Sequence, residues 1–84
     1  MEDREWMYSG HLSKYEVTDE WIDKTDAFLN RVWSECANGA DRLFCPCSKC
    51  DNRKRQKQRV MGEHLWHHGF TPNYYRWIFH GEPH

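Results

Sequence analysis

The residues of this 84-residue chain that are best suited to chemistry are three cysteines within one short stretch, Cys45, Cys47 and Cys50. Thiolates are preferred zinc ligands, and a structural zinc site takes four nitrogen or sulfur ligands from the protein in a tetrahedral arrangement. Cys47 and Cys50 have the spacing of a zinc knuckle, in which two thiolates on one tight turn reach the same ion. The stretch therefore predicts a bound Zn²⁺.

Histidines that follow the cysteines supply further candidate ligands. His64 lies 14 residues after Cys50, on the inward face of a predicted helix, and this spacing is typical of zinc modules in which a loop is followed by a helix. Two residues compete for the remaining place in the tetrahedron. Cys45 lies two positions before Cys47, and His80 follows a predicted strand. The spacing alone leaves both alternatives open.

The composition excludes several classes of protein. No apolar stretch approaches the about 20 residues that a membrane span needs, and the charged N-terminus lacks the apolar region of a secretory signal. Cysteines in such a chain are typical of metal ligands in a reducing compartment. The HExxH motif of zinc proteases and glycine-rich phosphate loops are missing. We therefore expect neither an enzyme nor a small-molecule binding protein, and no membrane partner.

The net charge of −1 conceals an uneven distribution. Residues 1–41 carry ten acidic and four basic side chains, a balance of −6, whereas residues 42–84 carry eight basic and three acidic ones, a balance of +5. The dense basic run at residues 53–59 predicts contacts with DNA phosphates, although a solvated helix face or a nuclear import signal has the same composition. The alternative function is a protein-interaction module that meets a partner of complementary charge. The candidate DNA-binding residues are Lys49, Arg53, Lys54, Arg55, Lys57 and Arg59.

Two helices and one short strand are predicted to position these residues. Residues 18–37 begin with the N-cap Thr18 and continue with apolar side chains at helical spacing. A second helix is predicted from about residue 56 to residue 68, and residues 74–79 are rich in strand formers. The apolar triplet at 6–8 is expected to dock on the core as an extended arm.

The expected fold is thus a small zinc-stabilised domain, mainly α with two helices and a short C-terminal β segment. It is expected to be a single domain over residues 1–84, since the chain shows neither an internal repeat nor a low-complexity linker. A chain of this length buries a modest core, so a metal is a usual source of additional stability.

Four sequence blocks carry a family resemblance. They are Asp3-Arg4-Glu5-Trp6-Met7-Tyr8, Cys45-Pro46-Cys47-Ser48-Lys49-Cys50-Asp51-Asn52, the stretch from Val60 to Phe70 with its His64-Leu65 pair, and the stretch from Tyr74 to Glu82. In this order they resemble the plant transposase-associated domain, a module near the N-terminus of transposases from CACTA-type DNA transposons. The match covers nearly the whole chain.

The resemblance implies a set of expectations. It implies a non-catalytic zinc module in the nucleus, with DNA and other transposase subunits or domains as partners. It implies that Cys45, Cys47, Cys50 and His64 form the site and that His80 also matters. Family members often carry a Gly-Val pair in the first helix where this chain has Lys24-Thr25-Asp26, a difference on the helix surface that leaves the metal site unaffected.

Overall fold

The computed structural model describes residues 3–83, which form three helices and two small antiparallel sheets of two strands each. Among these residues no helix is both long enough and apolar enough to cross a bilayer. The elements in chain order are α1 (Trp6–Ser9), β1 (His11–Ser13), β2 (Glu16–Val17), α2 (Asp19–Glu35), β3 (Leu43–Phe44), β4 (Arg55–Gln56) and α3 (Gln58–His68).

The long helix α2 begins where its sequence provides a cap. The Oγ1 atom of Thr18 accepts a hydrogen bond from the backbone N–H of Trp21 at 3.1 Å, and Asp19 and Glu20 occupy the first turn. Negative charge at this end of a helix interacts favourably with the helix dipole. The buried face of α2 consists of Trp21, Thr25, Phe28, Leu29 and Val32, so Thr25 lies in the core and not on the helix surface as expected. These residues recur at helical spacing and form one wall of the core.

The N-terminal residues differ from the expected extended arm. Trp6 and Met7 are buried, but they lie in the short helix α1, which is followed by the β1–β2 hairpin. The indole N–H of Trp21 donates to the carbonyl of Met7 at 3.2 Å. Gly10 allows this close approach, because a Cβ atom there would lie 2.7 Å from Thr18 Oγ1 and 2.8 Å from Trp21 Cβ. These contacts involve Thr18 and Trp21, which lie outside the apolar triplet at 6–8, so the triplet alone could not predict them.

The expected C-terminal strand is replaced by turns. Residues 74–79 contain no strand, and three of their backbone N–H groups donate to side chains rather than to a neighbouring strand. The N–H of Tyr74 donates to the hydroxyl of Tyr8 at 2.8 Å, and the N–H of Trp77 donates to a carboxylate oxygen of Glu82 at 2.7 Å. The aromatic residues that suggested a strand are instead core residues, since Tyr74 and Trp77 are both buried.

An aromatic cluster centred on Phe70 fills the interior. The ring of Phe70 makes edge contacts with Trp6, Trp21 and Phe28 at centroid distances of 5.9, 6.3 and 5.6 Å. Phe28 also meets Trp77 at 4.7 Å. Edge-to-face geometry is favourable for aromatic pairs beyond the area that they bury. Met61 and Leu65 of α3 and the thiols of the cysteine-containing loop belong to the same core, which therefore joins all three helices to that loop.

Candidate metal centre

The loop that carries the cysteines is closed by the β3–β4 ladder. Leu43 pairs with Gln56 and Phe44 pairs with Arg55, so residues 45–54 form the connection between the two strands. Inside the loop, Asp51 and Asn52 have φ angles of 50° and 57°. Asp and Asn tolerate this left-handed region better than other non-glycine residues. The chain can therefore turn tightly directly after the last cysteine.

The far side of the loop is fixed to the end of α3. The N–H of Ser48 donates to the carbonyl of Gly69 at 2.9 Å, and the N–H of Thr71 donates to the carbonyl of Pro46 at 2.7 Å. Gly69 itself ends α3 with a φ of 72°, a conformation that suits glycine. These bonds hold the cysteine loop beside the helix that carries His64.

Four of the five predicted ligands meet at one point. The ligand atoms of Cys45, Cys47, Cys50 and His64 all lie within 4.8 Å of one another. The Nδ1 atom of His64 is 3.8 Å from the Cys45 Sγ, 3.8 Å from the Cys47 Sγ and 3.5 Å from the Cys50 Sγ. A tetrahedral ion with the bond lengths of zinc would separate such nitrogen and sulfur atoms by about 3.6 Å. The four residues thus have the geometry of a metal site.

The clustered thiols are buried, and burial affects the charge of two of them. Cys45, Cys47 and Cys50 are at most 3% exposed, and all four cysteines of the chain are free thiols. Burial raises the pKa of Cys45 and of Cys47, because their thiolates would be poorly solvated. A bound metal ion reverses this preference, since a coordinating thiol is deprotonated outright.

Two further groups approach the sulfur atoms. The backbone N–H of Cys50 donates to the Sγ of Cys47 at 3.2 Å, and the side-chain amide of Gln56 lies 3.9 Å from the Sγ of Cys50. Such donors stabilise thiolate charge and orient metal ligands. Sequence spacing does not mark Gln56 as a site residue, because its approach depends on the pairing of β3 with β4.

His80 lies apart from the four clustered residues. It is 1% exposed, its Nδ1 is 2.6 Å from the hydroxyl of Tyr74, and its Nε2 is 2.7 Å from the carbonyl of Phe44. One neutral tautomer satisfies both bonds, with Nε2–H donating to the carbonyl and Nδ1 accepting from the tyrosine. Burial lowers the pKa of His80, which favours this neutral form. Because Phe44 directly precedes Cys45, His80 ties the C-terminal segment to the cysteine loop.

The predicted DNA-binding residues are exposed, but they do not form a basic helix. Of the six, only Arg59 lies within α3, and Lys57 is its N-cap. Lys49, Arg53 and Lys54 lie in the cysteine loop, and Arg55 lies on β4. Two of them face acidic neighbours at the surface, with Arg53 3.7 Å from Asp51 and Arg59 3.9 Å from Glu63. The helix predicted from about residue 56 is α3, and it begins at Gln58. The basic run therefore lies mainly before this helix.

Substitutions of His64 and His80 distinguish a metal ligand from a structural residue. We expect His64→Ala to weaken zinc binding by more than about 100-fold, because even the loss of a hydrogen-bond partner of a ligand costs 10–100-fold. We expect His80→Gln to keep one zinc per chain, since an amide can both donate and accept in place of the imidazole. Native mass spectrometry with chelator competition measures both. Loss of the metal from a folded His80→Gln variant would contradict the geometry.

Comparison with known proteins identifies a protein family. The family model described as the transposase-associated domain matches residues 4–82. No curated protein and no solved structure matches the chain.

Proposed function

This chain belongs to the transposase-associated domain family, and we propose that it is a non-catalytic zinc-binding module that engages DNA on behalf of a transposase-related protein. The metal would be zinc, held by Cys45, Cys47, Cys50 and His64, since thiolate and imidazole ligands in a tetrahedral set suit zinc. A DNA partner implies that the module works in the nucleus.

The observation that carries the DNA proposal is the electrostatic character of the start of α3. This helix has no acidic residue in its first turn, and its N-cap Lys57 makes no side-chain cap hydrogen bond. By contrast, α2 begins with a capping threonine and two acidic residues. Cations near a helix N-terminus oppose the helix dipole. The basic side chains there are therefore unfavourable for the isolated fold and favourable for binding an anion.

A DNA backbone phosphate supplies the anion that this region lacks. The free N–H groups at a helix N-terminus bind phosphate, and exposed Lys and Arg side chains release counterions from DNA when they contact it. Lys54, Arg55, Lys57 and Arg59 are exposed around the start of the helix. The zinc would hold the preceding loop against α3 and so fix these side chains relative to one another.

The same arrangement favours a structural metal over a catalytic one. A catalytic zinc keeps one coordination position open for water or substrate, whereas four protein ligands close the site. The carboxylates near the site are engaged as well. The carboxylate of Asp51 accepts a hydrogen bond from the hydroxyl of Thr71 at 2.6 Å, and it also lies near Arg53. These observations support an accessory, non-catalytic role.

A salt titration tests the DNA proposal. With about four phosphate contacts, affinity for a random DNA duplex should fall by about 100-fold between 50 and 200 mM salt. Fluorescence anisotropy of a labelled duplex with the zinc-loaded domain measures this slope. Lys54→Gln should reduce the slope by about one unit, because one phosphate contact is lost.

Lys24→Gln is the matched control for this experiment. It removes the same charge from the middle of α2, where Lys24 pairs with Glu20 at 3.0 Å. Its salt slope should equal that of the unmodified domain. Equal losses in the two variants would mean that only net charge matters, and a domain that fails to bind DNA at low salt would refute the proposal.

A further inference from the structure

An apolar groove lies on a different part of the molecule from the basic run. It has a volume of about 440 Å³ and is formed by α2, α3 and the β1–β2 hairpin. Its floor includes buried Leu29 and the glycine at position 62, which leaves space between the helices. Its apolar lining residues include Tyr15, Val17, Trp21, Ile22, Leu29 and Trp66.

Large apolar side chains on the groove are left open to solvent. Trp66 is 50% exposed, Ile22 is 41% exposed and Tyr15 is 84% exposed. The indole N–H of Trp66 donates to the carbonyl of Lys14 at 2.9 Å, so the ring is held in place at the edge of the groove. A contiguous apolar surface that the fold itself does not cover is typical of an interaction site.

The α2 side of the groove is acidic. Asp19, Asp23 and Asp26 follow one another at spacings of four and three residues, which places them on one face of the helix. All three are exposed, and Asp26 lines the groove. Within residues 3–83 none of the three forms an ion pair. These three aspartates form an acidic stripe, which therefore offers unpaired negative charge beside apolar surface.

Basic side chains are sparse in the groove itself. Lys14 is the cation among its lining residues, and its ammonium group lies 5.0 Å from the ring centroid of Tyr15. It lies in the turn of the β1–β2 hairpin, whereas the three aspartates lie on α2. The charge that a partner meets along the helix is thus negative.

We propose that this groove docks a basic amphipathic helix from another polypeptide. Apolar side chains at helical spacing would enter between Ile22 and Trp66, and Lys or Arg side chains along one edge would meet the aspartates of α2. A cleft between two helices suits a helical ligand, which presents anchors at i, i+3, i+4 and i+7. The complementary charge selects a basic ligand over an acidic one.

A second copy of this chain fits the groove less well. Its own basic run at residues 53–59 contains no apolar side chain that could serve as an anchor. The run also belongs to the surface that we assign to DNA. Because the groove and the run use different residues, the domain can hold DNA and a protein partner at the same time.

A pair of synthetic peptides tests the proposal on the zinc-loaded 84-residue domain. Both are alanine-based helices with leucines at i, i+3, i+4 and i+7, and they differ only in having lysines or glutamates along one edge. NMR titration of the ¹⁵N-labelled domain should show shifts at the Trp66 indole N–H and at the amides of Ile22 and Gly62. The lysine peptide should bind about tenfold more tightly at low salt, because three charge pairs change from attractive to repulsive.

Gly62→Leu is the blocking variant. A Cβ atom at position 62 would lie 3.4 Å from Leu29 Cδ1, an ordinary contact, and replacing glycine inside a helix improves helix propensity. The variant should therefore fold, fill the groove and bind the lysine peptide at least about tenfold more weakly, with unchanged DNA binding. The control Leu12→Ser removes apolar surface that is 74% exposed but does not line the groove, and it should bind normally.

Several outcomes would overturn the proposal. They are equal binding of the lysine and glutamate peptides, unchanged binding by a folded Gly62→Leu variant, and shifts confined to residues 53–59. Absence of any shift up to about 1 mM lysine peptide would also refute it. A domain dimer that Gly62→Leu dissociates would assign the groove to a second copy instead. None of these results depends on whether the basic run binds DNA.

Discussion

Withdrawal of zinc from the proposed site is expected to unfold this domain. The thiols of Cys45, Cys47 and Cys50 belong to the same buried core as the aromatic rings, so loss of the ion would leave three desolvated thiols at its centre. Binding of structural zinc contributes about 10–16 kcal/mol in small zinc modules. The whole stability of a domain is about 5–15 kcal/mol. The metal term is therefore large enough to decide whether the chain folds.

The measurement is thermal unfolding of the domain with and without a chelator, followed by near-ultraviolet circular dichroism of its tryptophans. The chelated protein should lose its near-ultraviolet signal and its cooperative transition, and added zinc should restore both. A metal-free protein that still melts cooperatively near the original temperature would show that the aromatic core suffices without the ion.

Cysteine variants make the same test without a chelator. Cys47→Ser should abolish both the metal and the cooperative transition. Cys36→Ser is the matched control, because Cys36 is a half-buried free thiol outside the cluster. Its cost should stay near about 1 kcal/mol, a shift in Tm of about 4–8 °C for a domain of this size. Equal effects of the two substitutions would argue against a special role for the cysteine cluster.

Local patterns predicted the elements that depend on local interactions. Residues 18–37 carry their own cap and an apolar stripe, and the structure has α2 at Asp19–Glu35. The predicted helix at 56–68 corresponds to α3 at Gln58–His68, with Gly69 at its end. The knuckle spacing and a histidine on the inward helix face indicated residues that the structure brings together. For the two helices the determining contacts lie within a few turns of chain, whereas the ligands, up to 19 residues apart, could be predicted because their residue types and spacing are typical of a metal site.

Features that depend on distant partners could not be predicted in this way. Tyr74 and Trp77 suggest a strand by composition, yet their backbone donors meet Tyr8 and Glu82. His80 has the residue type of a ligand, but its role depends on Tyr74 and on the carbonyl of Phe44, 36 residues away in sequence. The spacing of residues along the chain contains no information about such pairings.

The pairing of the two chain ends should contribute the second-largest measurable effect. Arg4 is buried, and its guanidinium donates to both carboxylate oxygens of Glu82 at 2.6 Å and to the carbonyl of Tyr75 at 2.7 Å. It also lies over the ring of Trp77, with its central carbon 3.5 Å from the centroid. Glu82 in turn accepts from the N–H of Trp77 at 2.7 Å. This ion pair joins the start of the chain to its C-terminal turns.

Breaking one side of a buried ion pair leaves the other charge without compensation and costs about 3–5 kcal/mol. Glu82 keeps 28% of its side chain exposed, so we expect Arg4→Gln to cost about 3 kcal/mol and to lower Tm by about 15 °C. The control is Lys24→Gln at the exposed Lys24–Glu20 pair, which should cost less than about 0.5 kcal/mol. Chemical denaturation of the zinc-loaded proteins compares their free energies of unfolding directly. Equal losses of stability in the two variants would contradict a stabilising buried ion pair between Arg4 and Glu82.

The stability that the Arg4–Glu82 ion pair contributes is expected to fall as the pH is lowered. The hydrogen bonds from Arg4 lower the pKa of Glu82 from 4.5 to about 2. The unfolded chain therefore binds a proton more readily than the folded one between these values, so the stabilisation is fully present above about pH 4.5 and is lost as the pH falls towards 2. The Glu82→Gln variant has no carboxylate at this position that could take up a proton. Its loss of stability relative to the unmodified domain should be largest near neutral pH and should shrink on acidification. Because acid weakens metal binding in both proteins, the difference between them reports the Arg4–Glu82 ion pair alone. A deficit that stays constant with pH would mean that Glu82 acts only through packing.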